Sequence, residues 1–437
     1  MLITFMSNAV FENIISISCY ICACSSPKHF SAMLNNGLIR ELFPALSRAH
    51  KGHSFIYLDG PGGTQVPQAV IDKISGYYKH SNANTHGAFA SSRETDTVVH
   101  NARKDMAVFL GAEGPDTISF GQNMTSLNYS LARAIVRILQ PGDEVLITQL
   151  DHEGNRGPWL MMREFGIIVR EVAMLQDGSL DYRDLQEKIG EKTRLVAVGM
   201  ASNALGTVND IKRIRQLAYE NNAWLLVDAV HYAPHFSIDV QALGCDFLLC
   251  SAYKFYGPHV GVLYSRPGLL DRLMPDRLIT TDQHAPYSIE TGTLNHAALA
   301  GVSAAVAFIA SLGEGATLRE KLLDAFRSIG KHERNLAGKL YQGLKALPGV
   351  KVYGLPFKSD IQRAPTLSFT IAGISAADVC RILAEKNICA WDGHFYALRA
   401  IQLLGLLERG GVIRMGVSIY NNEEEIEQVI EAVNACI

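Results

Sequence analysis

The chain has 437 residues, of which 48% are apolar and 19% charged, and its formal net charge is -3. This length gives room for two or three domains with real cores, and the composition excludes disordered, collagen-like and coiled-coil chains. With 40 basic against 43 acidic residues, no excess of positive charge is available to neutralise phosphates, so we predict no nucleic-acid partner. Eight cysteines are too few for a disulfide scaffold, which favours reduced thiols in a cytoplasmic protein.

The first 32 residues do not match the pattern of the remainder. The apolar run over residues 14–24 is shorter than the roughly 20 residues that a spanning helix needs, and no positive region of a secretory signal precedes it. We therefore predict no membrane anchor. Residues 19–24 carry three cysteines as C-x-x-C-x-C, a pattern that can bind a soft metal. A closed zinc site needs a fourth ligand and only His29 lies nearby, so we predict no metal site.

The chain divides into three predicted parts. Met33 begins a segment with a helical pattern, and one interpretation places the native start there and leaves residues 1–32 as an extension. We expect residues 1–50 to hold this extension and a lead-in helix, residues 51–300 to form a large domain, and residues 301–437 to form a small C-terminal domain.

From residue 55 onward, short apolar runs alternate with helical patterns, which is typical of a parallel sheet with crossover helices. The predicted strands are residues 117–120, 144–148, 167–172, 195–200, 224–228, 247–250 and 260–264. The predicted helices between them are residues 126–139, 157–165, 180–189 and 211–221. The pattern indicates an α/β fold whose central sheet is mostly parallel.

After residue 295 the pattern changes to long helices followed by separate strands. Helices are predicted over residues 296–311, 317–346 and 423–435, and strands near residues 351–353, 366–371 and 412–418. This order predicts a smaller α+β domain at the C-terminal end.

Polar residues follow several of the predicted strands, where open α/β sheets bind their ligands. The turn after residue 120 leads into a helix whose free N–H groups suit a phosphate, although taken alone Asn123 or Thr125 is more typical of an ordinary helix cap. Asp228 ends a buried strand, where a carboxylate needs a cation or hydrogen-bond donors. Lys254 lies among aromatic and apolar residues, which favours an amine with a lowered pKa that attacks carbonyl groups.

These three features match one cofactor, because pyridoxal phosphate (PLP) presents a phosphate, a ring nitrogen and an aldehyde. The sequence resembles the class V aminotransferase superfamily of PLP fold type I, and within it the cysteine desulfurase-like branch. The resemblance covers nearly all of residues 55–437. Seven motifs carry it in order: YLDGPGGTQVPQAVID (57–72), QLDHEGNRGPW (149–159), SNALGTV (202–208), VDAVHYAP (227–234), SAYKFYGPHVGVLY (251–264), IETGTLN (289–295) and RMGVSIYNNEEEI (414–426).

The resemblance implies that residues 51–300 bind PLP and that the cofactor is held by specific side chains. Lys254 would carry it covalently and move the proton at the α-carbon of the substrate, and Asp228 would keep the ring nitrogen protonated. His152 would stack on the ring. His231 lies where the family commonly has glutamine beside the phenolic oxygen of the cofactor.

The resemblance also implies contacts to the phosphate and to the substrate. The phosphate contacts would be Met124, Thr125, Ser251 and Tyr253, with Thr293 reaching the phosphate of a neighbouring subunit in a homodimer. Arg414 would bind the carboxylate of a small amino-acid substrate through its bidentate fork, with Asn203 and His394 lining the same place.

One departure from the family bears on the reaction. Tyr396 stands in the loop position where the nucleophilic cysteine of a desulfurase would fall, and Cys380 and Cys389 are expected to be buried small hydrophobes. The favoured hypothesis is a β-eliminating carbon–sulfur lyase that forms no persulfide. The alternatives are a desulfurase that uses another thiol, an aminotransferase or epimerase on the same scaffold, and a PLP-binding or sulfur-assembly partner protein without turnover.

Overall fold

The computed structural model describes residues 36–437, so the three cysteines near the N-terminus and Met33 lie outside the described residues. The first described helix, α1 (Asn36–Glu41), is followed by a 3-10 turn over Pro44–Ser47. Phe43 is extended, as a residue before proline tends to be, which keeps α1 from continuing. Within the described part of the chain, every helix is too short or too polar to cross a membrane.

A large sheet lies at the centre of the fold. A short hairpin, β1 (Ala49–His50) and β2 (His53–Ser54), and β3 (Ile56–Tyr57) precede it. Its strands are β4 (Ile118–Gly121), β5 (Glu144–Thr148), β6 (Ile168–Val172), β7 (Thr193–Gly199), β8 (Trp224–Asp228), β9 (Phe247–Ser251) and β10 (Gly261–Ser265). Their order is β4-β10-β9-β8-β7-β5-β6, and only β10 runs against its neighbours. The predicted mostly parallel sheet is confirmed.

Helices cover both faces of this sheet. They are α2 (Gln68–His80), α3 (Ala90–Leu110), α4 (Met124–Val136), α5 (Gly157–Leu160), α6 (Tyr182–Lys188), α7 (Ile211–Glu220), α8 (Val240–Leu243) and α9 (His296–Ala310). The helix predicted over residues 157–165 is wrong in part, because α5 ends at Leu160 and a 3-10 turn continues over Met161–Phe165. The sequence patterns did not predict α2 or α3. The buried face of α3 begins with polar Ser92 and Thr95, which hides its helical period.

A second, antiparallel sheet lies in the C-terminal part. The elements there are α10 (Leu318–Ala346), β11 (Val350–Tyr353), β12 (Thr366–Ile371), α11 (Ala376–Glu385), β13 (Ile388–Cys389), β14 (Trp391–Gly393), α12 (Leu398–Leu403), β15 (Val412–Gly416) and α13 (Glu423–Asn434). The sheet order is β11-β12-β15-β14, and β13 pairs in parallel with β3. This is the predicted smaller α+β unit, with β14 an addition that the sequence did not predict.

The long helix α10 takes part in both hydrophobic cores. Its first half contributes Leu322, Phe326 and Ile329 to the core against the large sheet. Its second half contributes Leu336 and Leu340 to the core of the small sheet. The domain limits at residues 50 and 300 remain predictions.

Candidate active site

A cavity of about 1050 Å³ lies at the carboxyl ends of β7, β8 and β9, where the sequence places the candidate residues. Thr293 is exposed and lies outside the lining, and its contact with a neighbouring subunit remains a prediction. The structure brings the other predicted site residues together on the cavity wall: Met124, Thr125, His152, Asn203, Asp228, His231, Ser251, Tyr253, Lys254, His394 and Arg414.

The start of α4 forms one end of this cavity. Asn123 caps the helix by accepting a hydrogen bond from the N–H of Ser126. The Met124 N–H donates to the Ser251 hydroxyl oxygen at 3.1 Å, which ties the helix start to the end of β9. A Cβ on Gly261 would lie 2.3 Å from the Asn123 carbonyl carbon, so only glycine allows β10 to pack this closely against the start of α4. The N–H groups and dipole of a helix start held in this way favour a phosphate.

Asp228 lies at the end of β8 with an incomplete set of donors. The Val230 N–H donates to its Oδ1 at 2.9 Å, and within the described part of the chain Oδ2 receives no hydrogen bond. Burial raises the pKa of Asp228 to about 6. A protonated ring nitrogen would supply the missing donor and favour the ionised carboxylate.

Lys254 ends a 3-10 turn that follows β9. Its amine donates to the carbonyl oxygens of Pro61 and, at 3.0 Å, of Gly62. Burial lowers the pKa of the amine to about 7, with the Arg414 charge as the next cause. The lowered pKa expected from the sequence is therefore found, and a large share of the amine is uncharged and nucleophilic near neutral pH.

Two histidines on the cavity wall are neutral. Burial lowers the pKa of His152 to about 4, and its Nδ1 accepts a hydrogen bond from the Gly154 N–H at 2.8 Å. Burial, and next the neighbouring His235, lower the pKa of His231 well below its ordinary value. The Nε2 of His231 shares a hydrogen bond with the Thr366 hydroxyl at 2.9 Å. A neutral imidazole can donate or accept only through a defined tautomer.

Arg414 also lines the cavity and has a partner that the sequence analysis missed. Its Nη2 lies 3.0 Å from Asp59 Oδ1. Its Nη1 donates to the Asn203 carbonyl oxygen at 3.3 Å, and its guanidinium carbon lies 4.1 Å from the centroid of the Phe395 ring. The signal for Asp59 was its place directly after the apolar run of residues 55–58, which is similar to the place of Asp228 at the end of an apolar run.

The loop that holds Tyr396 contributes to the lining of the cavity. Phe395 and Tyr396 have φ of 52° and 56°, a left-handed backbone that costs non-glycine residues about 1 kcal/mol or more each. Two hydrogen bonds hold it, from Asn203 Nδ2 to the Phe395 oxygen at 2.8 Å and from the Glu153 N–H to the Tyr396 oxygen at 2.7 Å. The Tyr396 ring centroid lies 5.4 Å from that of His152. The loop therefore brings Tyr396 beside the histidine predicted to stack on the cofactor.

No cysteine of residues 36–437 lines the cavity. Cys380 is buried on α11, and burial raises its pKa to about 12. Cys389 is half-buried on β13, and its pKa is also raised by burial. Thiols with raised pKa values are poor nucleophiles at neutral pH.

The residues present fit PLP. Three cavity residues each have a buried polar atom that finds no hydrogen-bond partner among residues 36–437, namely Asn203 Oδ1, His231 Nδ1 and Arg414 Nε. Orphaned polar atoms of this kind indicate a site shaped for a ligand. The start of α4 would take the phosphate, Asp228 the ring nitrogen and Lys254 the aldehyde carbon.

The fold and these residues define a PLP-dependent enzyme of fold type I. The family model described as Aminotransferase class-V matches residues 56–429, so the chain belongs to the class-V aminotransferase family. It is 33% identical over 410 residues to a probable cysteine desulfurase from Pseudomonas aeruginosa, covering 90% of this chain and 96% of that one. It is 31% identical over 414 residues to one from Synechocystis, covering 91% and 95%.

Two solved structures of cysteine desulfurases are similar to this chain over most of its length. The cysteine desulfurase CsdA from Escherichia coli superposes with a TM-score of 0.80 at 28% identity, covering 92% of this chain and 98% of that one. A cysteine desulfurase from Thermococcus onnurineus has a TM-score of 0.78 at 27% identity, covering 88% and 94%. The predicted superfamily, fold and cofactor are confirmed.

The position of Lys254 predicts where the cofactor is attached. After borohydride reduction, the wild-type protein is expected to gain the mass of one reduced cofactor on the peptide that contains Lys254, as measured by mass spectrometry. Lys254→Ala is expected to lose this attachment and the yellow colour, because it removes the only cavity amine among the described residues. Covalent cofactor at another lysine of the wild type would contradict the assignment.

The lowered pKa of Lys254 predicts a pH dependence for cofactor attachment. Since burial lowers this pKa from 10.5 to about 7, the uncharged fraction of the amine grows as pH rises through 7 and is nearly complete above about pH 8. The rate at which apoprotein binds PLP, followed by absorbance, is expected to rise from about pH 6 and to level off near pH 8. A rate that keeps rising to about pH 10, as for free Nα-acetyllysine, would show that the Lys254 amine has an ordinary pKa.

Proposed function

We propose that the protein is a PLP-dependent lyase that cleaves the β-substituent from a small α-amino acid, with a carbon–sulfur bond as the preferred target. The observation that supports this is a cavity with an amine base and a guanidinium clamp, at Lys254 and Arg414, but with Tyr396 and no thiol on the loop that lines it. Because the similar proteins are named cysteine desulfurases, cysteine is the first substrate to test.

Lys254, Asp228 and Arg414 have separate roles in such a reaction. Bound PLP supplies an electron sink for the carbanion formed when the α-carbon loses its proton. The uncharged Lys254 amine accepts that proton, and the Asp228 carboxylate holds the proton on the ring nitrogen. Arg414 binds the α-carboxylate and so orients the α-proton toward Lys254. The Cβ–S bond then breaks, sulfide leaves, and hydrolysis of the carbon–nitrogen bond gives pyruvate and ammonia.

The alternatives share these residues and differ in their products. A desulfurase would pass the sulfur to a protein thiol and release alanine, an aminotransferase would leave the amino group on the cofactor, and an epimerase would return the amino acid with inverted configuration. A PLP-binding partner protein without turnover needs no carboxylate clamp, which makes it the weakest alternative. In all of them we propose a homodimer, with Thr293 reaching the phosphate bound to the neighbouring subunit.

The product of the reaction distinguishes the lyase from the desulfurase. With L-cysteine, and with β-chloro-L-alanine as a substrate with a better leaving group, the holoenzyme is expected to form pyruvate and ammonia in equal amounts. Pyruvate is measured with lactate dehydrogenase, and alanine by amino-acid analysis. Alanine together with protein-bound sulfur would refute the lyase proposal and favour a desulfurase that uses another thiol.

The position of Tyr396 can be tested by installing a thiol there. If this loop position decides between elimination and sulfur transfer, Tyr396→Cys should form alanine from L-cysteine and gain the mass of one sulfur on the peptide containing residue 396. Tyr396→Ser, which removes the same ring without adding a thiol, serves as the matched control and should gain no sulfur. Equal sulfur incorporation in both variants would mean that another cysteine is the acceptor.

A further inference from the structure

Asp59 reaches the cavity because of a close packing between the segment after β3 and β15. The N–H groups of Gly62 and Gly63 both donate to the Asp59 carbonyl oxygen, at 3.0 and 3.1 Å, which turns the chain back on itself. A Cβ on Gly416 would lie 2.2 Å from Pro61, so the two segments approach as closely as glycine allows. This approach brings the Asp59 carboxylate against the guanidinium carried by β15.

The contact is a buried ion pair. Arg414 Nη2 and Asp59 Oδ1 are 3.0 Å apart, and the side chains are 5% and 11% exposed. Burial raises the pKa of Asp59 and lowers that of Arg414, and in each residue the partner's charge is the largest opposing cause. A guanidinium buried without a counter-charge is strongly destabilised, so Asp59 offsets the cost of holding the charged Arg414 inside the cavity.

The orientation of Arg414 is fixed on more than one side. Asp59 Oδ1 accepts a hydrogen bond from Nη2, and the Asn203 carbonyl oxygen accepts one from Nη1 at 3.3 Å. The Phe395 ring covers one face of the guanidinium. Its Nε is buried and has no hydrogen-bond partner within the described part of the chain. Since a guanidinium has more N–H groups than these contacts use, donors remain for a bound carboxylate. Asp59 also lies close enough to Lys254 to favour its protonated form.

We infer that Asp59 is a positioning residue that holds the Arg414 guanidinium, charged and in a fixed plane, for the α-carboxylate of the substrate. This inference rests on the proposed function in one respect, namely that Arg414 binds that carboxylate. A carboxylate bound to a free, mobile arginine would pay for ordering the side chain, whereas here Asp59, Asn203 and Phe395 have ordered it in advance.

The test compares two probes that differ only in the carboxylate. L-Alanine and L-alaninamide share the amine and the α-carbon, and alaninamide has a neutral amide in place of the charged group. Binding of each to the holoenzyme is measured from the change in cofactor absorbance. Asp59→Asn is expected to raise the apparent Kd for L-alanine by about 10- to 100-fold, and to change that for L-alaninamide far less.

A second variant disturbs the same pair without removing its charge. A Cβ on Gly62 would lie 2.2 Å from Asp59 Oδ2, so Gly62→Ala displaces the carboxylate from Arg414. It should show the same selective loss of L-alanine binding. As a control, Glu425→Gln breaks the ion pair of Glu425 with Arg40, whose atoms are 2.6 Å apart and outside the cavity lining. This control is expected to lower Tm without changing the Kd for either probe.

The outcomes separate the inference from the proposed function. An equal increase in Kd for both probes, or an unchanged Kd for L-alanine in both Asp59→Asn and Gly62→Ala, would overturn the positioning role of Asp59. A wild-type holoenzyme that binds both probes equally would overturn it too, since no carboxylate preference would then exist. Failure of the wild type to form pyruvate from β-chloro-L-alanine would refute the lyase proposal alone, because the probe measurements do not depend on elimination.

Discussion

The burial of charged side chains in one cavity is the constraint on which the site depends. Its lining includes five charged residues that are largely excluded from water, namely Asp59, Asp151, Asp228, Lys254 and Arg414. Charges removed from water are tolerated only when they meet opposite charges or donors, or when they lose their charge. Arg414 meets Asp59, Lys254 is partly neutral, and Asp228 retains an oxygen that a bound ring can satisfy. The groups whose charge or hydrogen bonding is not fully matched within the site are therefore those that would meet the cofactor and its substrate.

The large sheet could be predicted from the sequence because its strands are buried on both faces. The five residues of each of β5, β9 and β10 are all buried, and each strand contains a run of at least three apolar residues that is easy to recognise. Elements whose residue pattern depends on their neighbours in the fold were harder to predict from the sequence. The helix α3 packs polar side chains at its start, and β14 has only three residues, two of them half-buried and one exposed. The polar residues hide the helical period of α3, and β14 is too short to show a period.

The sequence analysis predicted most of the residues that the structure brings together in the cavity, but it missed the contact between Asp59 and Arg414. Polar residues at or shortly after the ends of long buried strands, such as Asp228 and Lys254, stand out against their apolar surroundings. Asp59 follows a strand of two residues, and its meaning appears only when β15 places Arg414 against it. Contacts between segments more than 350 residues apart depend on the tertiary fold, which local patterns do not contain.

The helix α10 has a consequence for how the molecule folds. Its 29 residues extend over about 44 Å, with one end in the core of the large sheet and the other in the core of the small one. A helix shared in this way transmits the loss of packing in one core to the other, so the two parts of the chain are expected to unfold as one cooperative unit. A chimera in which one of the two parts comes from another protein would therefore have to keep the packing residues at both ends of α10.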